Sequence, residues 1–547
     1  MSKKVEKGIT RRTFIKGTAA GAGIITATDI GPARKGLSST QSAQSRTYSF
    51  ETPPPPIPAG EIRQRVSTEV VVVGAGTSGL VCANAAVENG AKVVVIASSS
   101  MPVGRGGSNH AFNSKLMRRL GFASEPAKQF KDEMKCHSFR VDQDKWWLWA
   151  HRSGEAMDWL IDKMEAAGYQ SVIEVCNTDP ESIMTMYPGS HSWLGENIET
   201  AGRSQQLVVN TLAKTAQARG VQIYYNTTAV QLVREDENTG RVSAVIARTS
   251  DDSYCIYEGS KAIVLATGDF KDEEMVEKYC PWMLPLVKAG GGVYSGDGHK
   301  MGLWVGAAWQ KTQPNAPVIW GGVGPGTQPY RAFTGLVVNN SAARCGNEDN
   351  IVSFAGAAQM QQPASTIFAV WDYGYAKRAA PWTPVGAYYG GPSEIPIQTV
   401  IDGWEDSVKS GTIVKADTID GLARKLELPA AALKATIQRY NGFCKKGMDE
   451  DYGKQRELLI PVERAPFYGE TSKSPWLLCI LGGLRTNIKM QVLDKKDQVI
   501  PGLYAIGTIV GDMYSNIYTF LEPGHNLGAN CLTFGYLVGK DIARAKS

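Results

Sequence analysis

At 547 residues the chain is several times a typical domain of about 150, and at 43 % hydrophobic and 20 % charged, with a mean hydropathy of −0.21, it has a globular composition without a long apolar span. Nine cysteines without a C-x-x-C pair exclude a tandem zinc ribbon, a c-type haem attachment and a full disulfide framework. The net charge of +5 comes from the first 45 residues, where eight Lys and Arg face Glu6 and Asp29; the rest is close to neutral, which excludes nucleic acid as a partner.

Thr10-Arg11-Arg12-Thr13-Phe14-Ile15-Lys16, followed by a weakly apolar stretch to about Ile30, resembles a twin-arginine export signal. The resemblance implies export of the folded chain to the periplasm or the outer face of the membrane. Residues 1–45 are assigned to the signal and the start of a tether. Residues 46–64, with Pro53 to Pro56, are expected to form a flexible linker. No integral membrane segment is expected.

From Glu69 the pattern changes. A β-branched run to Val73 breaks into Gly74-Ala75-Gly76-Thr77-Ser78-Gly79, a helix follows from Leu80 to Asn89, and a second apolar strand runs from Lys92 to Ile96. This is the βαβ dinucleotide unit: Gly74 permits the turn, Gly76 admits a pyrophosphate, and Gly79 lets the helix pack closely. The acidic residue expected some 20 positions on would fall near Ala97 or Ser98, so a ribose contact is left to a hydroxyl such as Ser98.

Further pieces follow down the chain. Gly106-Gly107-Ser108 comes after the second strand. Val221 to Arg248 reads as strand, turn and strand, and Ile263 to Leu265 runs into Ala266-Thr267-Gly268-Asp269. Ser295-Gly296-Asp297-Gly298 is next. Pro501 to Gly507 is a last strand ending on glycine, and Leu527-Gly528-Ala529-Asn530 opens a helix.

This set resembles the flavoprotein family of soluble fumarate reductases, urocanate-type reductases and ketosteroid dehydrogenases, over about residues 65 to 547. The resemblance implies an α/β fold, a Rossmann-like FAD-binding domain with an inserted α+β capping domain. The FAD domain would take residues 65–309 and 479–547, and the cap 310–478. FAD would be held by Gly74, Ala75, Gly76, Ser78, Gly79 and Ser98. Further along, Gly106, Gly107, Ser108, Ala229, Thr267, Gly268 and Asp297 would join, and near the end Gly507, Ala529 and Asn530. No metal site is expected, and the cysteine spacing does not support an iron-sulfur cluster.

Reduction of an activated C=C bond takes a hydride from flavin N5 and a proton from an acid in a dry site. In the fumarate reductases that acid is an arginine eight residues before the Asn of an L-V-N turn, and Arg331 stands in that relation to Asn339, ahead of Arg344-Cys345-Gly346-Asn347-Glu348. The resemblance therefore makes Arg331 the acid. The family's cationic carboxylate ligands are replaced by Asn315, Cys479 and Asn526, which argues against fumarate. No Asp or Glu lies between Asp297 and Glu348 to relay protons to Arg331. The aromatic insert with Tyr514, Tyr518 and Phe520, followed by His525, is closer to the ketosteroid dehydrogenases, and either Tyr518 or His525 could polarise a carbonyl. The Trp146, Trp147, Trp149 and Trp159 run is expected in a core helix, and Cys479 as a small buried residue.

The expected function is reduction of an enoate, enone or unsaturated lactone with electrons from an external donor, a cytochrome or membrane-linked carrier. The alternatives are ketosteroid-type desaturation and a flavin electron-transfer subunit without its own substrate. Replacing Arg11 and Arg12 by lysine should hold the protein in the cytoplasm in cell fractionation; unchanged export would refute the signal.

Overall fold

The computed structural model describes residues 46–195, 205–292, 294–315, 318–319, 324–379, 381–384, 386–391 and 394–545. The twin-arginine segment lies outside them. Among the described residues no helix is long and apolar enough to cross a membrane.

The central sheet has eight strands: β1 (Ile62–Val73), β2 (Val93–Ile96), β3 (Gln222–Tyr224), β4 (Thr228–Arg234), β5 (Val242–Arg248), β6 (Tyr254–Leu265), β7 (Gln491–Leu493) and β8 (Val499–Ala505). Its order is β7-β8-β6-β1-β2-β3, with β5 also on β6 and β4 on β5. The pairs β8/β6, β6/β1, β1/β2 and β2/β3 are parallel. Parallel strands buried on both faces carry unbroken apolar runs, and Val70 to Val73, Val93 to Ile96 and Ala262 to Leu265 do so with almost no exposed surface. The chain is thus an α/β protein whose sheet draws strands from both ends of the sequence. Helix α1 (Thr77–Glu88) makes the first crossover.

A second, antiparallel sheet lies wholly within residues 310–478, in the order Leu336–Asn339, Ile367–Asp372, Phe467–Ser472, Ile413–Ala416. One face packs Trp371, Tyr375, Trp404 and Tyr468; the other packs Leu422, Leu433, Ile437 and Tyr440 beneath two helices. The Arg344 to Glu348 motif is a buried charge knot of this layer. Arg344 grips Glu348 through Nε and Nη2 at 2.9 and 2.7 Å, and Asp449 through Nη1 and Nη2 at 2.7 and 2.9 Å. Burial pushes the Asp449 carboxyl up, but the Arg344 guanidinium holds it down at about 2. Its contribution to stability is therefore full above the unfolded value of 3.8 and lost as pH falls toward 2.

A third sheet of three short strands (Asn109–His110, Ser190–Leu194, Gln170–Ile173) packs against helix α3 (Gln143–Ala166), which follows α2 (Pro126–Cys136) in the chain. Trp146 and Trp149 of α3 are buried, as expected of a core helix, whereas Trp147 and Trp159 are partly exposed.

Residues 46–64 differ from the expected flexible linker. Phe50 is buried among Phe270, Met275 and Met283, and its carbonyl accepts the Trp304 indole N–H at 2.8 Å. Ser49 N donates to Glu274, and Glu51 pairs with Lys278. The prolines keep the segment extended, while its flanking aromatic and acidic residues pin it. Strand β1 likewise starts at Ile62, seven residues before the expected Glu69, because its polar first half pairs with the edge of β6.

Arg344→Ala should cost about 3–5 kcal/mol, the usual loss when one partner of a buried ion pair is removed. Thermal unfolding checks this; an unchanged melting temperature would mean that the knot is not what holds the antiparallel layer.

Candidate active site

The carboxyl ends of β1, β2 and β6 open into one cleft of about 590 Å³, where open parallel sheets bind ligands. Backbone contact shapes its floor. Gly74, at φ +122°, lies so close to β6 that a Cβ would sit 2.3 Å from the Ala266 carbonyl oxygen, and a Cβ on Gly79 would sit 2.0 Å from that of Gly74. Gly76 is different: a Cβ there would meet nothing nearer than the Val103 carbonyl oxygen at 3.6 Å. The space above it is a cradle, and the start of α1 faces it without a side-chain cap. Unsatisfied amides at a helix start bind phosphate.

Gly74, Ala75, Gly76 and Ser78 line this end, as does Ser98 beyond β2. The Thr267 hydroxyl, also on the cleft, is buried without a hydrogen-bond partner. A cradle open at a helix start and an orphaned hydroxyl fit the pyrophosphate of FAD. Gly106, Gly107 and Ser108 continue the wall, as do Ala229, Gly268 and Asp297. Gly79, Gly507, Ala529 and Asn530 are not among the lining residues. Gly79 sits in α1, Gly507 takes φ +82° against Ser78, and Ala529 and Asn530 are buried in a π-helical turn (Leu527–Thr533), where the Asn530 amide donates to Asn526 at 3.0 Å. They shape the floor without facing the cleft.

The far end is aromatic. Tyr330, Trp476, Tyr518 and Phe520 line it with Cys479 and Asn526. Burial pushes the Tyr518 hydroxyl well above its ordinary value and the Cys479 thiol up as well, so both stay neutral at pH 7. Tyr518 Oη accepts the Asn526 backbone N–H at 3.3 Å. Among the described lining residues the one cation is Arg105, which donates to the Leu478 carbonyl at 2.7 Å and pairs with Asp269 at 3.4 Å. Asn315, the third expected replacement, is buried beside this wall and pairs its backbone with Leu481.

Two expected catalytic residues lie off the cleft. Arg331 is buried and donates from Nη2 to Asp349 at 2.6 Å, toward the antiparallel layer. The carboxylate missing from the stretch before Glu348 is thus supplied one residue after it. His525 is fully buried behind Tyr518, its ring edge-on at a centroid distance of 4.1 Å, among Trp146, Trp149 and Tyr514. Burial pushes it well below its ordinary pKa, so it carries no charge at pH 7.

Sequence reasoning missed Tyr330. It takes φ +62°, which a bulky residue adopts only under constraint. Its hydroxyl donates to Glu174 Oε2 at 2.8 Å and lies 3.2 Å from Ser108 Oγ, while its ring stacks on Phe520 at 5.4 Å. Glu174 is buried and also accepts from Ser108 at 3.0 Å and Ser192 at 2.6 Å. A pattern signal for Tyr330 existed in its neighbour Arg331; Glu174 had none.

Known proteins bear on this geometry. A family model described as an FAD binding domain matches residues 69–520. The vinyl phenol reductase of Lactiplantibacillus plantarum is 26 % identical over 507 residues, covering 87 % of this chain and 96 % of its own. A fumarate reductase (cytochrome) of Shewanella frigidimarina is 25 % identical over 489 residues, 87 % of this chain and 77 % of its own. The solved 3-ketosteroid-Δ4-(5α)-dehydrogenase of Rhodococcus jostii shares the fold with a TM-score of 0.67 at 21 % identity, covering 90 % of this chain and all of its own. Cradle, cleft and family match together establish that the chain belongs to the FAD-binding-domain flavoproteins and is an FAD-dependent oxidoreductase acting on C=C bonds.

Proposed function

We propose that this protein is an exported reductase of neutral C=C bonds conjugated with an aromatic ring or a carbonyl, drawing electrons from an external carrier. The observation that carries this reading is the cleft lining of Tyr330, Trp476, Tyr518 and Phe520, with the uncharged Cys479 and Asn526 at positions where the family resemblance implies cations. A dianion there would give up hydration without charge-assisted hydrogen bonds in return, a cost of several kcal/mol. A flat neutral substrate would stack on the rings instead. The long match to a vinyl phenol reductase supports the same class. Export and the external donor rest on the N-terminal resemblance and the family likeness.

FAD, when bound, supplies the hydride. The chain must orient the alkene, exclude water and deliver a proton. Tyr518 and Phe520 form the dry wall. Tyr330 lines the cleft and carries the proton on Oη, which the Phe520 ring and the hydrogen bond to Glu174 fix in place. After that proton has gone to the substrate carbon, Glu174 at 2.8 Å and Ser108 at 3.2 Å are the groups within hydrogen-bond reach of Oη through which it is replaced. Arg331, engaged by Asp349, is a positioning residue for the turn that carries Tyr330.

Anaerobic turnover with a reduced viologen tests this. Styrene-type phenols and enones should be reduced, and fumarate left nearly untouched. Tyr330→Phe should keep FAD and lose roughly two to four orders of magnitude in turnover, the usual range for a positioned acid. Arg331→Gln, which preserves a hydrogen bond to Asp349, should fall by less than about tenfold, or about 1.4 kcal/mol. Near-normal Tyr330→Phe beside a dead Arg331→Gln would return the acid to Arg331.

A further inference from the structure

Behind the aromatic wall lies a polar cluster that the proposed chemistry does not use. Glu133 of α2, Glu522 and His525 are all fully buried, and one ligand atom from each lies within 4.8 Å of the others. The Glu133 Oε1 atom accepts from Thr519 at 2.6 Å; its Oε2 lies 3.3 Å from His137 Nε2. Both oxygens of Glu522 and both ring nitrogens of His525 lack hydrogen-bond partners, with His525 Nδ1 at 3.9 Å from Glu522 Oε2. Among the described residues no lysine or arginine pairs with either carboxylate.

Groups buried in this state are costly unless something satisfies them. A proton shared by the two carboxylates would satisfy one oxygen pair and leave His525 with neither nitrogen bonded. A divalent ion among them would take one ligand atom from each of Glu133, Glu522 and His525, Zn–N and Zn–O bonds being about 2.0–2.2 Å and the three ligand atoms lying within 4.8 Å of one another. We propose that Glu133, Glu522 and His525 form a binding site for a divalent transition ion of the zinc or manganese type, one imidazole and two carboxylates being a ligand set that both accept.

The ion is structural. It ties α2 to the segment 518–526, whose other side presents Tyr518, Phe520 and Asn526 to the cleft. Dispersed positions 133, 522 and 525 leave no spacing motif, which is why the sequence gives no sign of a metal.

The test uses the full-length, flavin-loaded protein. After dialysis against chelator and gel filtration, titration with Mn2+ followed by electron paramagnetic resonance, and with Zn2+ followed by thermal unfolding, should show one saturable site per chain and a raised melting temperature. Glu522→Gln, nearly isosteric, should weaken binding by at least about tenfold; His525→Gln, a second variant should the first fail to fold, should do the same. No saturable site in the wild type, or equal affinity in a folded variant, would overturn the proposal.

Discussion

The structure depends on backbone touching backbone where β1 meets β6. Gly74 rests against the Ala266 carbonyl, and Gly79 rests against the carbonyl of Gly74. A side chain at either position would push strand, turn and helix apart by more than close-packed interiors tolerate. That contact brings three strand ends to one cleft and sets the start of α1 beneath the cradle at Gly76. The cofactor half of the site is therefore a property of the main chain.

The substrate half is built from side chains, and there the balance of solvation decides. Tyr330, Trp476, Tyr518 and Phe520 offer rings and hydroxyls; the lone cation among the described lining residues, Arg105, is already committed to Asp269 and the Leu478 carbonyl. A site without a free cation favours substrates that lose little on leaving water. The two halves are built differently: backbone contact at Gly74 and Gly79 shapes the cofactor half, and side chains, Cys479 and Asn526 among them, line the other.

What could be read in advance follows the same division. The glycine loop, the strands at Val93, Ile263 and Leu503 and the FAD assignment were legible because backbone geometry writes itself into local residue types. The catalytic assignments were less so. Spacing placed Arg331 at the site, but the left-handed backbone at Tyr330 sends the tyrosine to the cleft while Arg331 goes to Asp349, a divergence that counting cannot detect. His525 sat in a suggestive motif yet points into the core behind Tyr518. Glu174, just past the strand Gln170–Ile173, is more than 150 residues from the turn that carries Tyr330, and only the tertiary fold joins them. The Pro-rich stretch read as a tether because prolines carry that signal, whereas the contacts that pin it come from Ser49, Phe50 and Glu51 beside them.

The central claim is that the cleft beside the flavin prefers neutral, flat molecules. It is tested most directly by titrating the oxidised holoenzyme with a para-substituted phenol and, separately, with succinate, while following the flavin absorption band. The account predicts a saturable perturbation by the phenol and none by succinate at concentrations a hundredfold higher, a difference of at least about 2.7 kcal/mol. Tight binding of succinate with no response to the phenol would contradict it.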